Sequence, residues 1–169
     1  VFAGRLGQEK GIEDLVDAWL RWGEEAPELR ILGDGELRTE LEIKSGSAKN
    51  ILFLGQVDAV TAEDEISQAR LIVLPSRWFE GFPMVLREAF ALGTHVAVSD
   101  RGPLPDIVSQ ADGVVFQAND PGSLLEKVRE CWLSKSKLSS MADASKRAFQ
   151  SNYTEKMNLE MLLTIYERA

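Results

Sequence analysis

Six short runs of this chain are almost continuously apolar. They are "VFAG" (1–4), "LRILG" (29–33), "NILFLG" (50–55), "LIVLPS" (71–76), "HVAVSD" (95–100) and "GVVFQ" (113–117). A half-exposed strand alternates apolar and polar residues; a strand without that alternation needs cover on both faces. The intervening segments supply the cover. Residues 11–25, "GIEDLVDAWLRWGEE", place apolar side chains at 12, 15, 16, 19, 20 and 22, which is helical spacing. Further helices are expected over 35–46, 61–69, 83–93, 104–110, 121–135, 138–150 and 153–169. Strand and helix alternate, so the strands should lie parallel with helices on both faces. The expected fold is α/β: a Rossmann-like three-layer αβα sandwich with a parallel sheet of about six strands.

Smaller signals refine these limits. Thr61 followed by Asp64 resembles a helix-capping box. Pro83 in the first turn and Gly93 at the end bracket one helix. Ser134–Ser140, "SKSKLSS", is the most polar stretch and reads as a loop. The closing segment 153–169 carries Met157, Met161, Leu162 and Ile165 as an apolar stripe expected to dock on the domain. With 169 residues, 44% of them apolar, the chain suits a single domain over 1–169. It opens directly on a strand-like run, and the expectation is a piece of a longer protein. The single cysteine, Cys131, excludes an intramolecular disulfide and fits a reducing compartment. No run is long enough for a membrane span. A net charge of −8, from 19 basic and 27 acidic residues, argues against a nucleic-acid partner.

Ligands of open α/β sheets sit beyond the carboxyl ends of the strands. The loops to read are therefore 4–11, 33–36, 55–61, 75–83, 99–104 and 117–121. In the fourth, "PSRWFEGFPMVLRE" leads into a helix without a Ser, Thr, Asp or Asn at its entrance. Pro83 has no N–H, and the first free amides belong to Met84, Val85 and Leu86. Such amides, with the helix dipole behind them, can hold an anion, or water can satisfy them. Gly81 would let a ligand approach the backbone. The first loop, "GRLGQEKG", carries Arg5 and Lys10, cations suited to a diphosphate. Either alone is usually a solvated surface charge; their shared side with the Pro83 helix adds weight.

Glu80 and Glu88 could form an acid/base pair of the kind glycosidases use. Against that, Glu88 lies about 7–8 Å of helix rise beyond Pro83. Carboxylates also accept hydrogen bonds from sugar hydroxyls, and two so placed could hold two sugars on either side of an anchored phosphate.

In order along the chain come "GRL…KG" (4–11), "LRILGDGELR" (29–38), "ILFLGQV" (51–57), "IVLPS" (72–76), "EGFPMVLREAFALG" (80–93), "VAVSDRGPLPDIV" (96–108) and "GVVF" (113–116). This ordered set resembles the C-terminal, donor-binding half of retaining glycosyltransferases of the GT-B architecture, glycosyltransferase family four (glycosyl transferases group 1). The Glu80/Glu88 spacing matches the paired-glutamate signature of that family. The resemblance implies a nucleotide-diphosphate-sugar donor and transfer of the sugar to an acceptor hydroxyl. It implies no metal and no other cofactor. It assigns Arg5 and Lys10, after Gly4, to the diphosphate, and Glu80 to the hydroxyls of the donated sugar. The backbone of Gly81, Phe82, Pro83, Met84 and Val85 would hold sugar and diphosphate. Glu88 would grip the ribose, and Val57 would lie beside the base. Glu80, Arg5 and Lys10 would be the catalytic set. The family's N-terminal acceptor domain is absent, so the isolated domain is expected to be inactive. Similar enzymes build polysaccharides, lipopolysaccharides or glycolipids in the cytoplasm, with possible contact at the inner membrane face through the absent half.

The chain departs from the family at "GPLPD" (102–106), which ends in Asp106 where Glu is frequent, and at His95, where Pro is common. His95, the only histidine, reads as a strand-start residue. "GDGELR" lacks the third glycine of a dinucleotide fingerprint, which excludes a nicotinamide cofactor. The acidic run Glu63-Asp64-Glu65 is expected in a first helical turn, where carboxylates are favoured without a metal. Trp19 and Trp22 share a helical face and should pack in the core or against the missing half. Trp78 and Phe79 either line the sugar pocket or pack the loop. Two other readings stand beside the enzyme: a non-catalytic nucleotide-sugar-binding module, and a GT-B nucleotide-sugar epimerase. The epimerase reading is disfavoured by "EGFPMVLRE".

Overall fold

The structure, a computed structural model, describes residues 1–46 and 48–167. Strands β1 (Phe2–Ala3), β2 (Leu29–Leu32) and β3 (Ile51–Gly55) pair in parallel, as do β4 (Ile72–Leu74), β5 (Val96–Ser99) and β6 (Val114–Phe116). The two three-stranded sheets meet at Val1. Its amino group donates to the Leu71 carbonyl at 2.7 Å, and its own carbonyl accepts from the Val73 amide at 2.9 Å. Across this seam the order is β3–β2–β1–β4–β5–β6, the doubly wound arrangement whose direction of growth reverses between β1 and β4.

Period-two alternation explains why the strands carry so few polar residues, Arg30 and Ser99 being the exceptions. In β4, Val73 joins the core on one face, while Ile72 and Leu74 join the core on the other. In β5, Ala97 goes with Val73, and Val96 and Val98 go with the opposite side. Both side-chain directions are thus buried. Helices α1 (Ile12–Trp22) and α2 (Arg38–Ser45) cover the first face, together with α6 (Pro121–Leu133). Helix α1 does so through Ile12, Leu15, Val16 and Trp19, one stripe of a 3.6-residue period. The second face is covered by Ile66 of α3 (Ala59–Gln68), Leu86 and Phe90 of α4 (Met84–Leu92), and Leu104 and Val108 of α5 (Leu104–Ser109). Ala148 of α7 (Lys135–Asn152) completes it.

Several expectations are corrected. Ser134–Ser140 is not a loop. Ser134 caps α7 by accepting from the Lys137 amide, and Leu138, Met141, Ala144 and Ala148 bury at helical spacing. A serine cap and a periodic apolar stripe outweigh polar composition. Helix α3 begins at Ala59, two residues before Thr61, because Asp58 is its cap: its carboxylate accepts the Thr61 amide at 2.8 Å. Glu63-Asp64-Glu65 therefore lies beyond the first turn, where Glu65 pairs with Arg30 at 2.7 Å. Helix α1 stops at Trp22 and passes into a 3-10 turn at Gly23–Glu25, and α2 begins only at Arg38.

The closing helix α8 (Glu155–Glu167) forms but does not dock: none of its residues is buried, and Met161 and Ile165 are 58% and 62% exposed. Its apolar residues spread around more than half of the helix, and both sheet faces are already covered. Arg168 and Ala169 lie outside the described residues. Among the described residues, no helix is long and apolar enough to cross a membrane.

Candidate functional site

The loops after β1 and β4 leave neighbouring strands at the point where the sheet order reverses. Their approach is close. Gly11 has φ of 65°, and a Cβ there would lie 2.0 Å from the Pro75 carbonyl oxygen. Only glycine combines that left-handed backbone with that contact. The Arg77 amide donates to the Glu9 carbonyl at 2.9 Å. The Arg77 guanidinium binds Asp14 through two bonds, at 3.0 and 2.9 Å, and Glu13 at 2.8 Å. Asp14, with a second carboxylate beside it, raises the pKa of Arg77 above its ordinary value despite partial burial. Helix α1 and the β4–α4 loop are thereby clamped together.

The clamp brings Lys10 to Glu80. Lys10 Nζ donates to Glu80 Oε1 at 2.6 Å, and their side chains are 29% and 17% exposed. Ser76 Oγ donates to the same oxygen at 2.7 Å. Ser76 is itself held from behind, because Ser99 Oγ donates to its carbonyl at 2.6 Å. Three residues past Glu80, Pro83 is the N-cap of α4, with φ −63° and ψ 124° and no side-chain cap bond. Pro83 is thus outside the first turn in which it was expected. The Leu86 amide is not free: it donates to the Pro83 carbonyl at 3.0 Å, closing the first turn on itself. Among the described residues, the Met84 and Val85 amides have no acceptor. A Cβ on Gly81 would meet nothing within 4 Å, so the backbone before α4 is open to approach.

Arg5 is not brought to this group. It leaves β1 just past Gly4, whose amide donates to Leu32 at 3.0 Å, and its guanidinium turns to Glu36 at 3.0 Å. Arg5 is 67% exposed on its side-chain atoms. The Glu36 carboxyl is held below the usual range by its own backbone amide first and by Arg5 second. Glu88 is exposed and lines a cleft of 290 Å³ between α3 and α4, with Ala59, Ala62, Glu63 and Arg87. Glu80 and Glu88 thus serve different spaces, one beside Lys10 and the other beside α3. Val57 is half-buried just past Gly55, in the loop that leads to Asp58 and α3.

The remaining singled-out residues are also placed. Trp19 is buried and donates its indole N–H to the Pro27 carbonyl, with the Trp22 ring tilted against it at 5.5 Å, which is core packing. Trp78 and Phe79 are 71% and 83% exposed; Phe79 leans on Gly102 and Trp78 projects to solvent. Phe82 packs on Tyr153 at 4.9 Å. His95 precedes β5, at the strand end opposite the site, with its ring nitrogen on the Leu138 carbonyl. Asp106 lies in the first turn of α5. A cavity of 680 Å³ beside Trp19, Lys49 and Asn50 also lies at that far end. It is remote from the converging polar groups, and the Asn50 amide there is already committed to the carbonyls of Gly23 and Ala26.

Sequence reasoning missed Ser76, Ser99 and Arg77. Serines at strand ends are common, and only the return of Glu80 onto Ser76 four residues later could have marked the first.

The family described as glycosyl transferases group 1 matches residues 1–133. An uncharacterised glycosyltransferase of Methanocaldococcus jannaschii is 34% identical over 140 residues, covering 78% of this chain and 36% of its own length. A putative teichuronic acid biosynthesis glycosyltransferase of Bacillus subtilis, TuaC, is 30% identical over 128 residues, covering 76% and 31%. The chain therefore spans well under half of the length of these curated relatives. Among solved structures, the C-terminal domain of the group 1 glycosyl transferase LpcC of Francisella tularensis superposes with a TM-score of 0.80 at 20% identity, over 91% of this chain and 85% of that one. Anabaena HepE, solved with UDP, superposes with a TM-score of 0.84 at 18% identity, over 98% of this chain and 48% of that one.

Proposed function

The chain belongs to the group 1 glycosyl transferases, and from that premise we propose that it is the donor-binding domain of a retaining glycosyltransferase. The donor is a nucleoside-diphosphate sugar, and the missing half of the protein supplies the acceptor. The observation that carries this reading is the Lys10–Glu80 contact at the sheet's reversal point, three residues before the uncapped entrance of α4. The Met84 and Val85 amides and Lys10 suit a diphosphate, whose charge grows as it leaves. Glu80, three residues earlier, suits the hydroxyls of the transferred sugar. Glu88, in the α3–α4 cleft, suits the ribose side, and Val57, in the loop before α3, the base. Arg5 is exposed and can swing from Glu36 to the diphosphate, because a surface ion pair holds it weakly.

The B. subtilis relative's association with teichuronic acid favours a polysaccharide, lipopolysaccharide or glycolipid acceptor. Such an acceptor would place the full-length protein in the cytoplasm, at the inner membrane face.

A thermal-shift panel of UDP, GDP, ADP and their sugar conjugates tests the reading. At ten times its dissociation constant, a bound nucleotide adds about 1.4 kcal/mol. One base is expected to shift the wild type, and Lys10→Met to abolish the shift. A panel without any shift would refute the reading.

A further inference from the structure

We propose that Ser76 is the positioning residue for Glu80: its hydroxyl keeps this carboxylate in place when Lys10 turns to a diphosphate. The proposal rests on the donor-site reading above. The Glu80 side chain is 17% exposed, although its chain neighbours are open: Trp78 and Phe79 before it face solvent, and a Cβ on Gly81 after it would meet nothing within 4 Å. The direction of its carboxylate is set by two hydrogen bonds to Oε1, from Lys10 Nζ at 2.6 Å and Ser76 Oγ at 2.7 Å.

The two donors differ in stiffness. Lys10 reaches Glu80 on a flexible four-carbon stem and is partly exposed. Ser76 is 1% exposed, with a single side-chain torsion. Its carbonyl is fixed by Ser99, which is fully buried. The next residue, Arg77, is tied to Glu9, Glu13 and Asp14. The Ser76 hydroxyl thus belongs to the rigid frame, whereas the Lys10 ammonium does not.

A diphosphate carries more charge than a carboxylate and draws the ammonium toward itself. The ammonium has three donors, so the Glu80 contact can be shared or given up. With Lys10 as its sole tether, Glu80 would follow the ammonium, and its place at the sugar would depend on the diphosphate. The buried hydroxyl removes that dependence. Glu80 then stays available to the sugar's hydroxyls, and Lys10 is free to serve the leaving group.

Calorimetric titration with UDP, GDP, ADP, UDP-glucose, GDP-mannose and ADP-glucose tests this. The quantity to compare is the affinity of a nucleotide sugar divided by that of its diphosphate. In Ser76→Ala the ratio is expected to fall about tenfold, the lower range for a hydrogen bond to a charged group, while diphosphate affinity changes little. Ser76→Thr retains the hydroxyl and is expected to restore the ratio. A crystal structure of Ser76→Ala should show the Glu80 carboxylate displaced, which needs no ligand to observe. An unchanged ratio, an unmoved carboxylate, or equal losses for sugar conjugate and diphosphate would each overturn the proposal while the donor reading stands. A wild type that binds none of the six compounds would remove the donor reading, and the proposal with it.

Discussion

Replacing Gly11 by alanine probes the geometry on which the site depends. The new Cβ would sit 2.0 Å from the Pro75 carbonyl oxygen, whereas real Cβ contacts essentially never fall below 3.0 Å. Pro75 is backbone and cannot rotate away, so the two loops must part by about 1 Å. The φ of 65° adds left-handed strain of about 1–2 kcal/mol for a non-glycine residue. Forcing apart a packed contact costs about 1–3 kcal/mol more. The expected loss is about 2–5 kcal/mol, or roughly 4–20 °C in Tm for a domain of this size. If the 1 Å falls on the adjacent Lys10–Glu80 contact, its 2.6 Å lengthens beyond hydrogen-bonding range. Urea unfolding measures the first effect, and nucleotide thermal shifts measure the second. For the unfolding measurement Gly81→Ala is the control, since a Cβ there meets no protein atom within 4 Å. A Gly11→Ala protein as stable as wild type, with the same nucleotide response, would refute the argument that these loops must touch.

Arg77→Ala should cost about 2–3 kcal/mol in urea unfolding. It strands Asp14, which is 7% exposed, although partial solvent access at Arg77 reduces the penalty below that of a fully buried pair. Arg77→Lys should recover only part of the loss, because an ammonium cannot make the two-pronged contact with Asp14; full recovery would contradict the clamp. Asp58 gives a pH test. The Thr61 amide, bound first through the backbone, lowers the Asp58 pKa below the ordinary aspartate value. A depressed pKa contributes stability above the unfolded value and loses it as pH falls through the folded one. The gap in urea midpoint between wild type and Asp58→Ala should therefore be present at neutral pH and close under acid conditions, below the usual aspartate range. A gap that persists in strong acid would show that the carboxylate charge is not what caps α3.

The layers of this protein were legible in its sequence because their signals are local. Near-continuous apolar runs mark strands covered on both faces, and 3.6-residue spacing marks the helices between them; each property lies within about ten residues of chain. The same is true of the entrance to α4, where Pro83 follows Phe82 and Gly81 and nothing nearby can cap. Errors arose where two local signals competed. Polar composition over Ser134–Ser140 concealed a serine cap, and Thr61 drew attention from the true cap at Asp58. The apolar residues of α8 could not reveal whether any surface was left for them to cover.

What the sequence by itself determined was a set of layers, and hence which loops share the carboxyl edge of the sheet. Which residues meet there was decided by tertiary structure. Lys10 and Glu80 are 70 positions apart, and Arg77 and Asp14 are 63 apart. Those pairs exist because the parallel winding sets β1 beside β4, and because Gly11 lets one backbone press on another. The same geometry split two cations that looked equivalent in one loop: Lys10 faces the reversal point, while Arg5, five residues earlier, turns to Glu36. Contact between charges far apart in the chain depends on that packing and leaves no periodicity to read.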